Sequence, residues 1–201
     1  HQNQANQSPL SVTLEKGYLL LSKYLIENGA KLHSENIYGS FFIAARKGFL
    51  DIIQYLIKNG LYMNYEDHRN NTCLMKACAT EIDNLEIVKY LIEKGSNVNH
   101  KNNDGDTPLL IACDIGNFGI MKYLVEKGAN VNHQNEYGDT PLSITTIHGN
   151  LEMTKYLVKN GANVNHPNEE GITPLFIASK GKNLQLVQYL IQNKADVNFC
   201  S

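Results

Sequence analysis

The pair Tyr-Leu recurs at a regular interval at Tyr24-Leu25, Tyr55-Leu56, Tyr90-Leu91, Tyr123-Leu124, Tyr156-Leu157 and Tyr189-Leu190, with spacings of 31, 35, 33, 33 and 33 residues. A period of this length marks one supersecondary unit copied along the chain, and a single unit can bury its apolar face only against a neighbour. The two irregular spacings together span two periods, so a two-residue deletion is balanced by a two-residue insertion. Thr-Pro-Leu recurs in the same register at Thr107-Pro108-Leu109, Thr140-Pro141-Leu142 and Thr173-Pro174-Leu175. Ser8-Pro9-Leu10 lies three periods before the first of these, and Thr72-Cys73-Leu74 is a degenerate copy. The copies also end alike, in Gly95-Ser96-Asn97-Val98-Asn99-His100, Gly128-Ala129-Asn130-Val131-Asn132-His133 and Gly161-Ala162-Asn163-Val164-Asn165-His166.

Within the copy at 101–133, each recurrent residue has a local reason. Thr107 is placed to cap a helix, its hydroxyl accepting from an N–H of the first turn. Pro108 then stands where a missing N–H costs nothing. Leu109 and Ala112 share one face of a short first helix, and Ala112 is small so that the second helix can approach. Gly116 allows the turn, and Asn117 is placed to cap the second helix. Asn84, Asn150 and Asn183 hold the same position, which accounts for part of the 25 asparagines. Ile120, Tyr123 and Leu124 form an amphipathic stripe at three- and four-residue spacing. Gly128 ends that helix in the left-handed conformation. Val131 is expected to pack under the following hairpin, and Asn132 to brace the turn.

The pattern Asp-Gly-x-Thr-Pro-Leu-x-x-Ala, Gly-Asn, a Tyr-Leu helix, then Gly-Ala-x-Val-Asn resembles the ankyrin repeat. The resemblance covers residues 8–199 in six copies, at about 8–34, 35–65, 66–100, 101–133, 134–166 and 167–199. It implies an all-α repeat solenoid, a stack of six helix–turn–helix units with short β-hairpin tips, forming one domain over 8–201 behind a polar tail at 1–7.

The departures from the period carry expectations of their own. The copy at 35–65 lacks two residues before its first helix, where Gly39-Ser40-Phe41 replaces Gly-x-Thr-Pro-Leu, so its hairpin should be short or distorted. The copy at 66–100 carries two extra residues in Ala79-Thr80-Glu81-Ile82-Asp83-Asn84, and that loop should bulge. Lys194 replaces the terminal Gly of the last copy, so the final helix should fray or continue differently. Gln185, Gln188 and Gln192 on that helix suit a polar capping repeat, and a chain cut at this point fits equally well.

Composition and spacing argue against most chemistries. Lys plus Arg is 18 and Asp plus Glu is 20, only Arg46 and Arg69 are arginines, and no basic cluster of the kind that binds nucleic acid is apparent. No apolar run approaches the roughly 20 residues that span a bilayer. His100, His133 and His166 recur at 33 residues, but units about 10 Å apart cannot share a metal whose ligands stand at roughly 2 Å. The Tyr-Leu tyrosines are expected on the packing stripe with their hydroxyls at the surface. Cys78 and Cys113 hold one repeat position and lie too far apart for a disulfide, Cys73 has no CxxC partner, and Cys200 falls at the chain end; all four are expected as free thiols of a reducing compartment. The stretch Asn102-Asn103-Asp104-Gly105-Asp106 lacks the spaced acidic ligands of a calcium loop and is expected at a hairpin tip. No catalytic set, metal site or cofactor is expected.

The family resemblance implies binding through hairpin tips and the concave face of the first helices. Mapped position by position, it selects Ile43, Arg46, His68, Arg69, Lys76, Asp104, Asp106, Ile111, Asp114, Tyr137, Asp139, Ile144 and Ile177. Ile43, Ile111, Ile144 and Ile177 form an apolar stripe interrupted by Lys76, which is either a contact patch or partly packed between repeats. Basic residues gather in the second and third copies, with Lys47 beside Arg46, and acidic ones follow, including Glu136, Glu169 and Glu170. The expected function is a non-catalytic, monomeric protein-binding scaffold in the cytoplasm (or a host cytosol, for a secreted effector), with a protein partner and neither nucleic acid nor membrane. The alternative is the recognition region of a larger multidomain enzyme or effector with its catalytic domain elsewhere, which the missing initiator Met and the stop at Ser201 keep open. The stretch Leu190–Asn198 also resembles the ankyrin motif modified by asparaginyl hydroxylase, with Asn99, Asn132 and Asn165 in the same position as Asn198.

Overall fold

A computed structural model describes residues 7–198; the rest of the polar tail and Cys200 lie outside the described residues. Twelve helices and no strand occur among the described residues. The chain divides into two compact units, His1–Asn97 and Val98–Ser201. The first contains α1 (Pro9–Lys16), α2 (Leu19–Glu27), α3 (Glu35–Arg46), α4 (Leu50–Lys58), α5 (Cys73–Cys78) and α6 (Leu85–Glu93). The second contains α7 (Pro108–Ile115), α8 (Phe118–Glu126), α9 (Pro141–Ile147), α10 (Leu151–Lys159), α11 (Pro174–Lys180) and α12 (Leu184–Gln192). Consecutive helices pair, α1 with α2 through α11 with α12. In the first unit α1 packs on α3 and α3 on α5; in the second α7 packs on α9 and α9 on α11. The odd-numbered helices therefore form one layer of each unit and the even-numbered helices another.

Local chemistry sets the helix ends. Thr72, Thr107, Thr140 and Thr173 each accept from the N–H three residues on, at 3.2–3.4 Å. Proline stands in the first turn of α1, α7, α9 and α11. Asn117, Asn150 and Asn183 cap α8, α10 and α12 through their side-chain oxygens. The core that results is mainly apolar. Leu56, Leu91, Leu124, Leu157 and Leu190 of the Tyr-Leu pairs are buried, and Leu25 is half-buried. Five of the six tyrosines beside them are half-buried, whereas Tyr24 is exposed. Lysines cover several of these rings from outside, with Lys127 Nζ 5.3 Å from the Tyr123 centroid and Lys155 Nζ 5.7 Å from that of Tyr189.

Three places differ from the sequence expectation. The copy that lacks two residues forms no tip. Without a Thr-Pro start, α3 runs through Gly39 and reaches 12 residues, where α7 has 8. Tyr38, carried on that extra turn, stacks on Tyr65 with ring centroids 3.9 Å apart.

Asn84 does not cap α6. Its amide donates instead to the carbonyls of Ala45 (2.8 Å) and Arg46 (3.3 Å), satisfying the open C-terminal end of α3. The two inserted residues put Asp83 beside α6, and its carboxylate accepts from Leu85 N at 3.2 Å. The insertion itself forms an irregular loop after the six-residue α5, as expected.

The last helix ends like the others. Lys194 takes φ +70° and Ala195 N–H donates to Leu190 O at 2.9 Å, the same closure made at Gly128 by Ala129 N–H to Leu124 O. Leu190, fully buried, anchors that turn, and the bond outweighs the roughly 1 kcal/mol that a left-handed non-glycine residue costs. The final helix exposes Leu184 and Ile191 as well as Gln185, Gln188 and Gln192.

Candidate protein-binding surfaces

Each tip is a turn closed by two backbone bonds and organised by one side chain. In the second unit Asn102, Asn135 and Asn168 accept from the N–H groups two and four residues ahead, at 2.8–3.1 Å. Adjacent tips are joined directly, Glu136 N–H donating to Asp104 O (3.1 Å) and Glu169 N–H to Tyr137 O (3.3 Å). This leaves Tyr137 and Glu170 exposed at the rims, with Asp104, Asp106 and Asp139 half-buried beside them. Burial raises the pKa of Asp106 and of Asp139. Hydrogen bonds from Asn135 and Asn168, respectively, oppose that rise, and nearby carboxylates add to it.

The tip of 67–71 uses Asp67 for the same task. Its Oδ1 accepts from Arg69 N and Asn71 N, both at 2.9 Å. Asn70 supplies the left-handed residue, at φ +58°. Asp67 Oδ2 also pairs with Lys76 Nζ at 2.8 Å, and Lys76 lies 5.9 Å from the Phe42 centroid. Burial alone would raise the Asp67 pKa; the Lys76 ammonium and the Asn71 and Arg69 donors overcome this and hold it at about 2. Lys76 is thus an internally paired cation, while His68 and Arg69 are exposed at the tip.

The pairing gives a pH signature. A depressed carboxylate pKa stabilises the fold above the unfolded value near 3.8, and that contribution is lost as the pH falls toward 2. In Asp67→Asn the amide oxygen can keep the turn bonds, as asparagine does in the other tips, so the variant chiefly removes the ion pair. We expect it to lower stability by about 1 kcal/mol at pH 7, with the deficit closing between pH 4 and pH 2 in urea melts. A deficit that stays constant over that range would mean the Lys76 pair contributes nothing.

The first-helix candidates occupy equivalent sites. In the second unit Ile111, Ile144 and Ile177 hold one position on α7, α9 and α11, and each is half-buried. Asp114 is exposed and meets His148 Nε2 at 2.9 Å. In the first unit Ile43 is half-buried and Arg46 exposed. Four further residues lie at these surfaces beyond the sequence candidates. Ile147 and Phe176, each 55 % exposed, add apolar area in the second unit, and Thr80 and Ile82 line a cleft beside Ile43 in the first. Ile147 was legible from its column, which it shares with Asp114; Phe176 was not, because Leu110 and Ser143 in its column are buried.

A second set of asparagines joins successive copies within the second unit. The Asn132 amide donates to Gly161 O (2.9 Å) and its oxygen accepts from Asn163 N (2.8 Å). Asn99 bonds Gly128 O and Asn130 N in the same way, and Asn165 bonds Lys194 O and Asp196 N. His133 Nε2 lies 2.8 Å from Gly105 O, so this histidine ties a helix-end loop to a tip. Burial pushes the thiols of Cys73, Cys78 and Cys113 up, and all three are free.

The family described as ankyrin repeats (3 copies) matches residues 41–135 and 120–199, together most of the chain. The chain belongs to the ankyrin repeat family. Comparison with curated proteins gives no match. Ankyrin repeats are generally protein–protein interaction modules, and the ankyrin fold is typically non-catalytic. The capped helix pairs and the asparagine-joined loops described above are this chain's version of the ankyrin stack. Among the described residues, no helix is long and apolar enough to cross a membrane.

Proposed function

We propose that this ankyrin chain is a non-catalytic, monomeric module that binds a protein partner through its tips and the exposed side of its first helices. One observation carries the reading: Ile111, Ile144 and Ile177 repeat at a single half-exposed position on three neighbouring first helices, with exposed Tyr137 and acidic tips alongside. Isolated surface isoleucines need no explanation, but a row at one repeat position, widened by Ile147 and Phe176, supports a contact surface. The acidic tips would set orientation and association rate, and the isoleucines would slow dissociation. They also disfavour nucleic acid as the partner of this unit. Three free, buried thiols support a cytosolic setting.

The test is affinity capture from source-cell lysate. A protein retained by the chain should be lost with Ile111→Asp or Ile144→Asp while far-UV circular dichroism stays helical, and retained with Lys122→Glu or Lys155→Glu on the outer helices. A captured protein that ignores the isoleucine changes and is lost with the outer-helix changes would assign binding to the opposite side.

A further inference from the structure

Both departures from the 33-residue period fall in the first unit, and their structural consequences meet there. The deletion lengthens α3, and the insertion places Thr80 and Ile82 beside the C-terminal end of that helix. Between them lies a cleft of about 460 Å³ lined by Glu15, Ile43, Arg46, Lys47, Thr80 and Ile82. A second cleft of about 310 Å³ shares Glu15 and Ile43 with the first and extends to Glu35 and Gly39 at the opposite end of α3. The two form a groove along one face of α3. Gly39 opens its far end, since a Cβ there would meet nothing within 4 Å.

The groove is polar in the electrostatic sense. At one end the Arg46 guanidinium is exposed and makes no ion pair among the described residues. Lys47 beside it is oriented by Glu15 O at 2.9 Å. At the other end Glu35 is exposed and likewise without an ion-pair partner among the described residues. Glu15, midway, already accepts from Ser40 Oγ (3.1 Å) and Gln7 Nε2 (3.4 Å). The apolar floor is Ile43, with Ile82 on the wall. From Glu35 to Arg46 the helix rises about 16 Å, at about 1.5 Å per residue, which is the length of about five extended residues at about 3.3 Å each.

We propose that this groove binds an extended protein segment of about five residues, with a carboxylate on Arg46, an aliphatic side chain between Ile43 and Ile82, and a Lys or Arg toward Glu35. The assignment rests on the protein-binding reading above and gives it a ligand chemistry confined to the first unit. Arg46 presents a planar fork of donors matched to a carboxylate, which a lysine would not. The opposite charges at the two ends fix the direction in which the segment lies, because the reversed segment places like charges together.

The test is a display library of seven randomised positions, panned on the full chain, with enriched peptides then synthesised and titrated by fluorescence polarisation. Enriched peptides should share the order carboxylate, aliphatic, cation over about five residues. Arg46→Glu should weaken them about tenfold or more, and replacing the peptide's carboxylate residue by Lys should restore binding to that variant. Lys155→Glu should leave affinity unchanged. Enriched peptides without this charge order, or insensitive to Arg46→Glu and lost with Ile144→Asp, overturn the groove assignment and leave the protein-binding reading standing. A library that yields no binding peptide also overturns the groove assignment, and the lysate capture then judges the broader reading independently.

Discussion

Leu124→Ala and Leu157→Ala should each destabilise the second unit by about 2–5 kcal/mol in urea melts followed by far-UV circular dichroism. Both side chains are fully buried, on α8 and α10, where each helix meets its own first helix. Truncation removes the transfer free energy of the lost carbons and leaves a cavity whose walls are helices already fixed by their caps. Ala112, also fully buried, is typical of those walls: a short side chain cannot swing in to fill the void. Lys127→Ala, at the exposed C-terminal cap of α8, is the control. It loses a cation–ring contact at 5.3 Å on an exposed surface, which limits its cost to about 1 kcal/mol or less. A Lys127 change as costly as the leucine changes would show that the second helix faces the other way.

How far such residues were legible in the sequence depends on whether their role is set within one copy. Thr107, Pro108 and Asn117 act on groups within three residues of themselves, so their spacing was enough to assign them. The buried leucine of a pair such as Tyr123-Leu124 was readable for the same reason, since helical periodicity fixes which side of α8 it faces. The role of Asn84 is not legible within its own copy, because another copy sets it. The Asn84 backbone still begins α6, but its side chain turns to the carbonyls of Ala45 and Arg46, more than thirty residues away. Lys194 departs from the expectation because glycine at this place is a preference and not a necessity: the closing bond to Leu190 outweighs the strain of a left-handed lysine. Lys76 stood out as a break in the isoleucine stripe, but its pairing with Asp67 depends on how the tip folds back over α5. The binding candidates were the least legible, because exposure depends on which neighbour lies over each position, and the repeat pattern is silent on that.

Gly138→Ala should lower stability by about 2–4 kcal/mol, whereas Gly128→Ala should cost only about 1 kcal/mol, although both glycines recur in most copies of the repeat. Both are left-handed, Gly138 at φ +74° and Gly128 at φ +87°, so both variants carry the conformational strain. They differ in what a Cβ would meet. At Gly128 nothing lies within 4 Å. At Gly138 a Cβ would stand 2.6 Å from Glu169 N, a backbone atom of the next tip that cannot swing aside. Relief requires the tips to separate, and that breaks the Glu169 N–H to Tyr137 O bond joining them. Gly105, 2.8 Å from Glu136 N on the same criterion, should behave like Gly138. Hydrogen exchange gives the sharper reading. Gly138→Ala should speed exchange at the Glu169 amide well beyond the global loss of stability, while Gly128→Ala should leave that amide protected. Equal costs for the two glycines would mean that the tips are not held in contact, and Tyr137 would then lose the neighbour that fixes its place at the rim.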